Sequence, residues 1–262
     1  MLENKELERL GGNEDLVVLV DVDRCIMNSQ YVFNRMLDAL RNLGVPEDLL
    51  DEVVAKEKEN RGNAFDYLAE VDVATPDIPI SPEALVNEIL KDFDIQKLID
   101  KVFASEAVEL LKSLIVTKSR TLLVTAGGEK TQTAKLILID KLVEYMYGHD
   151  AMLPWMIIDD SNQRKAQLGV EAYDEDTRQF SFEKLRTHAK LHSDDYPELS
   201  ADQIRHVVVI DDKIENVTTN DIDNRNVTGV LVVRAELPDD GEDRTSLGEI
   251  VGDIYERAGY RG

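Results

Sequence analysis

Leu16-Val17-Val18-Leu19-Val20-Asp21-Val22-Asp23 decides the fold, because a continuous apolar run ends on two carboxylates one residue apart. Its echo is Val207-Val208-Val209-Ile210-Asp211-Asp212. Unbroken Val, Ile and Leu runs read as strands covered on both faces, the kind found in parallel sheets. In an open parallel sheet the ligand crevice lies outside the carboxyl ends of the strands, so both acidic pairs are expected to face one crevice. Crowded carboxylates repel and stay ionised together only beside a cation, and an all-oxygen donor set suits Mg²⁺. The two runs together predict a magnesium site.

Outward from these runs, apolar stretches near 16–21, 121–125, 155–159, 206–211 and 229–233 alternate with longer amphipathic segments, the pattern of a doubly wound parallel α/β sheet. Residues 22–120 separate the first two runs, far more than the dozen or so that a crossover needs. Tyr31 to Leu40 carries apolar residues at helical spacing, and further helices are expected near 47–70 and 82–103, punctuated by Pro76, Pro79 and Pro82. A helical second domain is therefore read over 29–104, with 1–28 and 105–262 forming the α/β core. A helix starting near Glu106 leads back to the sheet. Leu168 to Tyr173 and Thr177 to Phe182 flank Asp174-Glu175-Asp176 as a candidate hairpin. Pro238 to Asp243 reads as a solvated acidic loop.

At 262 residues and 43% hydrophobic, the chain can bury a substantial core. Thirty basic residues against 53 acidic ones leave a net charge of −23, which repels nucleic-acid backbones and anionic lipid, and no basic patch offsets it. No nucleic-acid partner is expected. Cys25 is the single cysteine, so no internal disulfide forms, and no Cys/His cluster suggests zinc. Met1 to Glu6 has no apolar signal core, and no stretch reaches the ~20 apolar residues of a membrane span, so a soluble, cytoplasmic protein with no membrane partner is expected. Nothing in the sequence sets an oligomeric state.

In chain order the strand ends present Asp21 and Asp23, then Thr125, then Asp211 and Asp212, with Lys184 at an expected helix start before the fourth strand. These are the parts of a phosphoryl-transfer site. Asp21 is the candidate nucleophile, since a carboxylate attacking phosphorus splits one hard displacement into two easier ones. Asp23 is the candidate general acid and base for the leaving alkoxide and the incoming water. Thr125, followed by Ala126, and Lys184 are expected to bind phosphate, while Asp21, Asp23, Asp211 and Asp212 are the expected metal residues.

This arrangement resembles the haloacid dehalogenase-like superfamily over most of the chain. Val17 to Ile26 resembles its first motif, Leu122-Leu123-Val124-Thr125 its second, and Val208 to Asn216 its fourth. The resemblance implies a Rossmann-like core, a helical cap between the first two motifs, and Mg²⁺ bound by Asp21, the backbone carbonyl of Asp23, and Asp211, with Asp212 as a further ligand or water holder. The chain departs from the family at Arg24-Cys25, where many members have Gly-Thr, so a stiffer and differently charged turn is expected. Lys165 and Lys190 compete with Lys184, which is preferred because Ser181-Phe182-Glu183-Lys184 reads as a capped helix start. Asp159-Asp160 is a rival acidic pair, ranked second because it follows Thr125 too closely.

Cys25 reads as a small packed residue, Trp155 and Met156 as core, and His188 and His192 as a surface pair on a helix. The leading expectation is a Mg²⁺-dependent phosphatase acting on a small phosphorylated metabolite. Alternatives are a phosphomutase and a non-catalytic scaffold with an acidic cap. A phospho-acceptor regulatory domain fits poorly, because there the acidic pair follows the first strand and the acceptor the third.

Overall fold

The computed structural model describes residues 16–59, 65–91, 94–103, 106–116, 120–148, 151, 153, 155–158, 173–174, 179–180, 189–191, 206–213, 216 and 227–231. The strands are β1 (Leu16–Asp21), β2 (Arg120–Ala126), β3 (Trp155–Ile158), β4 (Tyr173–Asp174), β5 (Gln179–Phe180), β6 (Ala189–Leu191), β7 (His206–Asp211) and β8 (Val227–Leu231). The helices are α1 (Ser29–Asn42), α2 (Glu47–Glu59), α3 (Tyr67–Ala74), α4 (Pro82–Leu90), α5 (Ile95–Val102), α6 (Ala107–Val116) and α7 (Glu129–Tyr147).

One sheet runs in the order β6-β3-β2-β1-β7-β8, parallel throughout except for β6, which pairs antiparallel with β3. This is the expected Rossmann-like parallel α/β core. Val18, Leu19 and Val20 point alternately to the two faces of the sheet and are all buried, which is why the run shows no apolar–polar alternation. Chain order reverses at β1, flanked by β2 on one side and β7 on the other, so the switch point lies where Asp21 and Asp211 end their strands. Strand β4 pairs antiparallel with β5 in a separate two-stranded sheet, as the candidate hairpin requires.

The expected helical stretches divide further than their spacing shows, and one expected helix is a strand. The helical stretch expected near 47–70 holds two described helices, one ending at Glu59 and one starting at Tyr67, where the Asp66 side chain accepts from the Ala69 N–H as a fresh N-cap. The expected 82–103 helix likewise divides at Asp94, whose carboxylate caps α5 through the Lys97 N–H. Residues 189–191 form an edge strand rather than the helix assigned to His188 and His192, both of which lie outside the described residues. Antiparallel pairing with β3 supplies hydrogen bonds that this short segment needs.

Helices α1 to α5 lie between β1 and β2, and their two connections to the sheet run side by side. The Asn28 N–H donates to the Val102 carbonyl at 2.7 Å, and Met27 bridges to Phe103. Ser81 and Pro82 give α4 a side-chain cap and a pre-set first turn. These helices are not a detached body. Helices α3 and α4 both pack on α7, and one apolar core runs unbroken from β1 through the inserted helices to α7. Helix α7 is consequently buried on more than one face, from Thr131 and Gln132 through Lys135 to Val143.

Candidate active site

The loop after β1 builds the floor of the site. The Ile26 and Met27 N–H groups both donate to the Val22 carbonyl, and the Arg24 N–H donates to the Met27 carbonyl at 3.0 Å. This tight loop forces Arg24 to a φ of 65°, left-handed backbone that glycine adopts without strain and an arginine adopts at a cost of about 1 kcal/mol. The departure expected at Arg24-Cys25 thus falls on a position whose backbone is left-handed. Cys25 is buried as a packed residue, with Sγ 4.0 Å from the Ile210 carbonyl. Trp155 and Met156 are buried in the core as well.

Asp21, Asp211 and Asp212 are brought together at the ends of β1 and β7, each able to offer an oxygen within 4.8 Å of the others. All three are buried, at 5%, 0% and 1% exposure. Asp211 is held in place by the Lys213 N–H at 2.8 Å and the Asn216 side-chain amide at 3.0 Å. Three clustered buried carboxylates are costly unless a cation neutralises them, and an all-oxygen set of this kind fits a hard divalent ion.

Asp23 points to the opposite wall. Its carboxylate accepts from the Ser29 hydroxyl at 2.7 Å, from the Thr125 hydroxyl at 3.4 Å, and from Lys135 Nζ at 2.8 and 3.0 Å. The Lys135 side chain is only 10% exposed, so this ion pair is shielded from water on the lysine side. Thr125 stands one residue beyond Val124, the register partner of Asp21, and its single hydroxyl proton is shared between Asp23 and the nearer Gln132 Oε1 at 3.1 Å. The Gln132 amide returns a bond to the Ala126 carbonyl at 3.2 Å. Gly127, at φ 144°, leaves room for Gln132, since a Cβ there would fall 2.6 Å from Nε2. Tyr67, buried from α3, donates to Met36 Sδ at 2.7 Å and meets Phe33 edge-on at 5.2 Å. Burial first, and then the charges of Asp23, Asp66 and Glu57, push its phenol well above the usual tyrosine value.

Of the residues expected from sequence, Asp21, Asp23, Thr125, Asp211 and Asp212 meet here, with Ala126 beside Thr125. Lys184, Lys165 and the rival Asp159-Asp160 lie outside the described residues. Lys190 sits on the edge strand β6, separated from β1 by β3 and β2. Sequence reasoning missed Lys135 and Gln132. No local signal marked them: Glu129 to Lys135 is polar except for Ala134, so both read as solvated helix residues.

No family model and no curated protein matches the chain. Among solved structures it is similar to a haloacid dehalogenase-like hydrolase of Burkholderia xenovorans LB400, with 16% identity and a TM-score of 0.47 over 90% of this chain and 97% of that one. It is also similar to a haloacid dehalogenase-like family hydrolase of Xanthomonas campestris, with 14% identity and a TM-score of 0.37 over 93% of each. Neither likeness is close, and the chemistry of the site rests on its own residues.

Proposed function

We propose that the chain is a haloacid dehalogenase-like hydrolase, a Mg²⁺-dependent phosphatase that acts on a small phosphorylated metabolite through an aspartyl-phosphate on Asp21. One observation carries this reading. Three buried carboxylates, Asp21, Asp211 and Asp212, converge at the switch point of the sheet, while Asp23, two residues from Asp21, faces Thr125 and Lys135. Asp21, Asp211 and Asp212, with the Asp23 backbone carbonyl, would hold the ion, which when bound supplies positive charge against the phosphoryl oxygens.

The chain's own residues do the rest. Asp21 attacks phosphorus with one carboxylate oxygen, forming an acyl phosphate and releasing the alkoxide. Asp23 gives the alkoxide its proton and later takes one from the water that hydrolyses the acyl phosphate, restoring Asp21. In the resting site Lys135 Nζ pairs with the Asp23 carboxylate at 2.8 and 3.0 Å. A phosphate dianion offers Lys135 a stronger partner beside Thr125, and Asp23, released from the ammonium, can then carry the proton. Lys184 keeps its sequence-based role as a further phosphate-binding candidate. Residues 29–104 act as a cap, roofing the site through Tyr67 and excluding water from the reacting groups.

A panel of phosphorylated metabolites assayed with and without Mg²⁺ tests this reading. Turnover of at least one phosphomonoester only when Mg²⁺ is present is the expected result. No turnover of any member with Mg²⁺ present would overturn it in favour of a non-catalytic role.

A further inference from the structure

Helix α7 carries both Gln132 and Lys135, yet its own N-cap residue, Gly128, has no side chain with which to cap it. The cap comes from elsewhere. Asp66, at the head of α3 in the inserted segment, accepts from the Lys130 N–H at 2.8 Å, the Thr131 N–H at 3.1 Å and the Thr131 hydroxyl at 2.8 Å. The same carboxylate caps its own helix through the Ala69 N–H at 3.2 Å, and the Leu68 N–H reaches the Thr131 hydroxyl at 3.3 Å. Two helix N-termini, each carrying roughly half a positive charge, therefore meet on one carboxylate. Lys130 adds an ion pair to Asp72 of α3. Gly128 is what lets the two helices approach, because a methyl group there would land on the Asp66 side chain.

Lys135 lies one helical turn beyond Thr131 on the same face of α7, so whatever fixes Thr131 fixes the ammonium that pairs with Asp23. Gly127 and Gly128 do not restrain it, and the ties on the core side are those of Gln132 to Thr125 and the Ala126 carbonyl. We infer that Asp66 is a positioning residue: by capping α7 from the inserted segment it sets Lys135 against Asp23, so that the docking of the insertion and the placement of the site's ammonium are coupled. As a statement about catalysis this rests on the phosphatase reading. As a statement about Lys135 it does not.

The test separates the two. Lysine amines are labelled with acetic anhydride in the full-length protein and quantified peptide by peptide, with exposed Lys101 as internal standard. Asp66→Ala and the milder Asp66→Asn should speed labelling of Lys135 relative to Lys101, the first by about tenfold, the factor that loss of a good cap gives to the opening of a helix end. Gly128→Ala should do the same while leaving the Asp66 charge in place. If the wild type hydrolyses a phosphomonoester such as p-nitrophenyl phosphate, the loss in Asp66→Asn should fall in kcat with KM little changed. Unchanged Lys135 labelling in folded Asp66→Ala, or in Gly128→Ala if the first does not fold, overturns the inference, as does acceleration spread equally over all lysines, which would mark a purely structural role. A wild type without phosphatase activity would sink the phosphatase reading alone, and the labelling would still decide the positioning claim.

Discussion

Asp21 and Asp23 stand two residues apart, and their neighbours differ. Asp21 faces Asp211 and Asp212, whereas Asp23 faces Lys135, Ser29 and Thr125. Asp21→Asn should lower turnover by more than about a thousandfold while leaving the fold intact, since the amide keeps the shape but cannot attack phosphorus. Undiminished activity in a folded Asp21→Asn protein would refute the assignment. Asp23→Asn should slow poor leaving groups more than activated aryl phosphates, which need little protonation. Equal losses on both would remove Asp23 from the acid role. Lys135→Met should cost about a hundredfold in kcat, the size of effect seen when one fixed charge-stabilising donor is lost. If Lys184→Met shows that loss and Lys135→Met does not, the phosphate-binding lysine is Lys184. The acidic residues were legible in the sequence because each ends an apolar strand, a local signal. Lys135 was not, because a lysine on a helix reads as solvated until packing shows the helix buried around it.

Among the elements, α7 joins the sheet, the inserted helices and the site. Its middle carries Asp140, whose Oδ2 accepts from Trp155 Nε1 of β3 at 3.0 Å while Oδ1 is buried without a hydrogen-bond partner among the described residues. Burial raises this carboxyl from an ordinary 3.8 to about 6, against the opposing effect of the Trp155 hydrogen bond. Between about pH 4 and pH 6 the unfolded chain has lost this proton and the folded chain keeps it, so this group's contribution to stability falls as pH rises through that window. Denaturant midpoints measured across the window should show a shallower fall in Asp140→Asn than in the parent. Identical pH dependence in the two proteins would mean that Asp140 titrates normally. Element types were largely readable from apolar spacing. The breaks at Asp66 and Asp94 were not, because each depends on a side chain reaching a particular backbone N–H, a choice that spacing does not encode. The capping of α7 by Asp66 was still less readable, since the two partners are 64 and 65 positions apart.

For the molecule as a whole, the parallel α/β core and the large insertion follow from the strand runs and the length between them, whereas the order of strands in the sheet does not. The seating of the insertion on α7 does not, since it is set by apolar surfaces on several separate helices. Among the described residues no helix is long and apolar enough to cross a membrane. With a net charge of −23 the chain repels itself, and the sharpest local repulsion is expected at Asp21, Asp211 and Asp212. A divalent ion bound only by the folded state should relieve it, adding about 2.7 kcal/mol at a hundredfold excess over Kd and raising the melting midpoint by several degrees. The most direct test is the Mg²⁺-induced shift in melting midpoint for the parent, Asp211→Ala and Asp159→Ala. The parent and Asp159→Ala should show the shift, and Asp211→Ala should lose most of it. Loss of the shift in Asp159→Ala with its retention in Asp211→Ala would move the metal to the end of β3 and contradict the site described above.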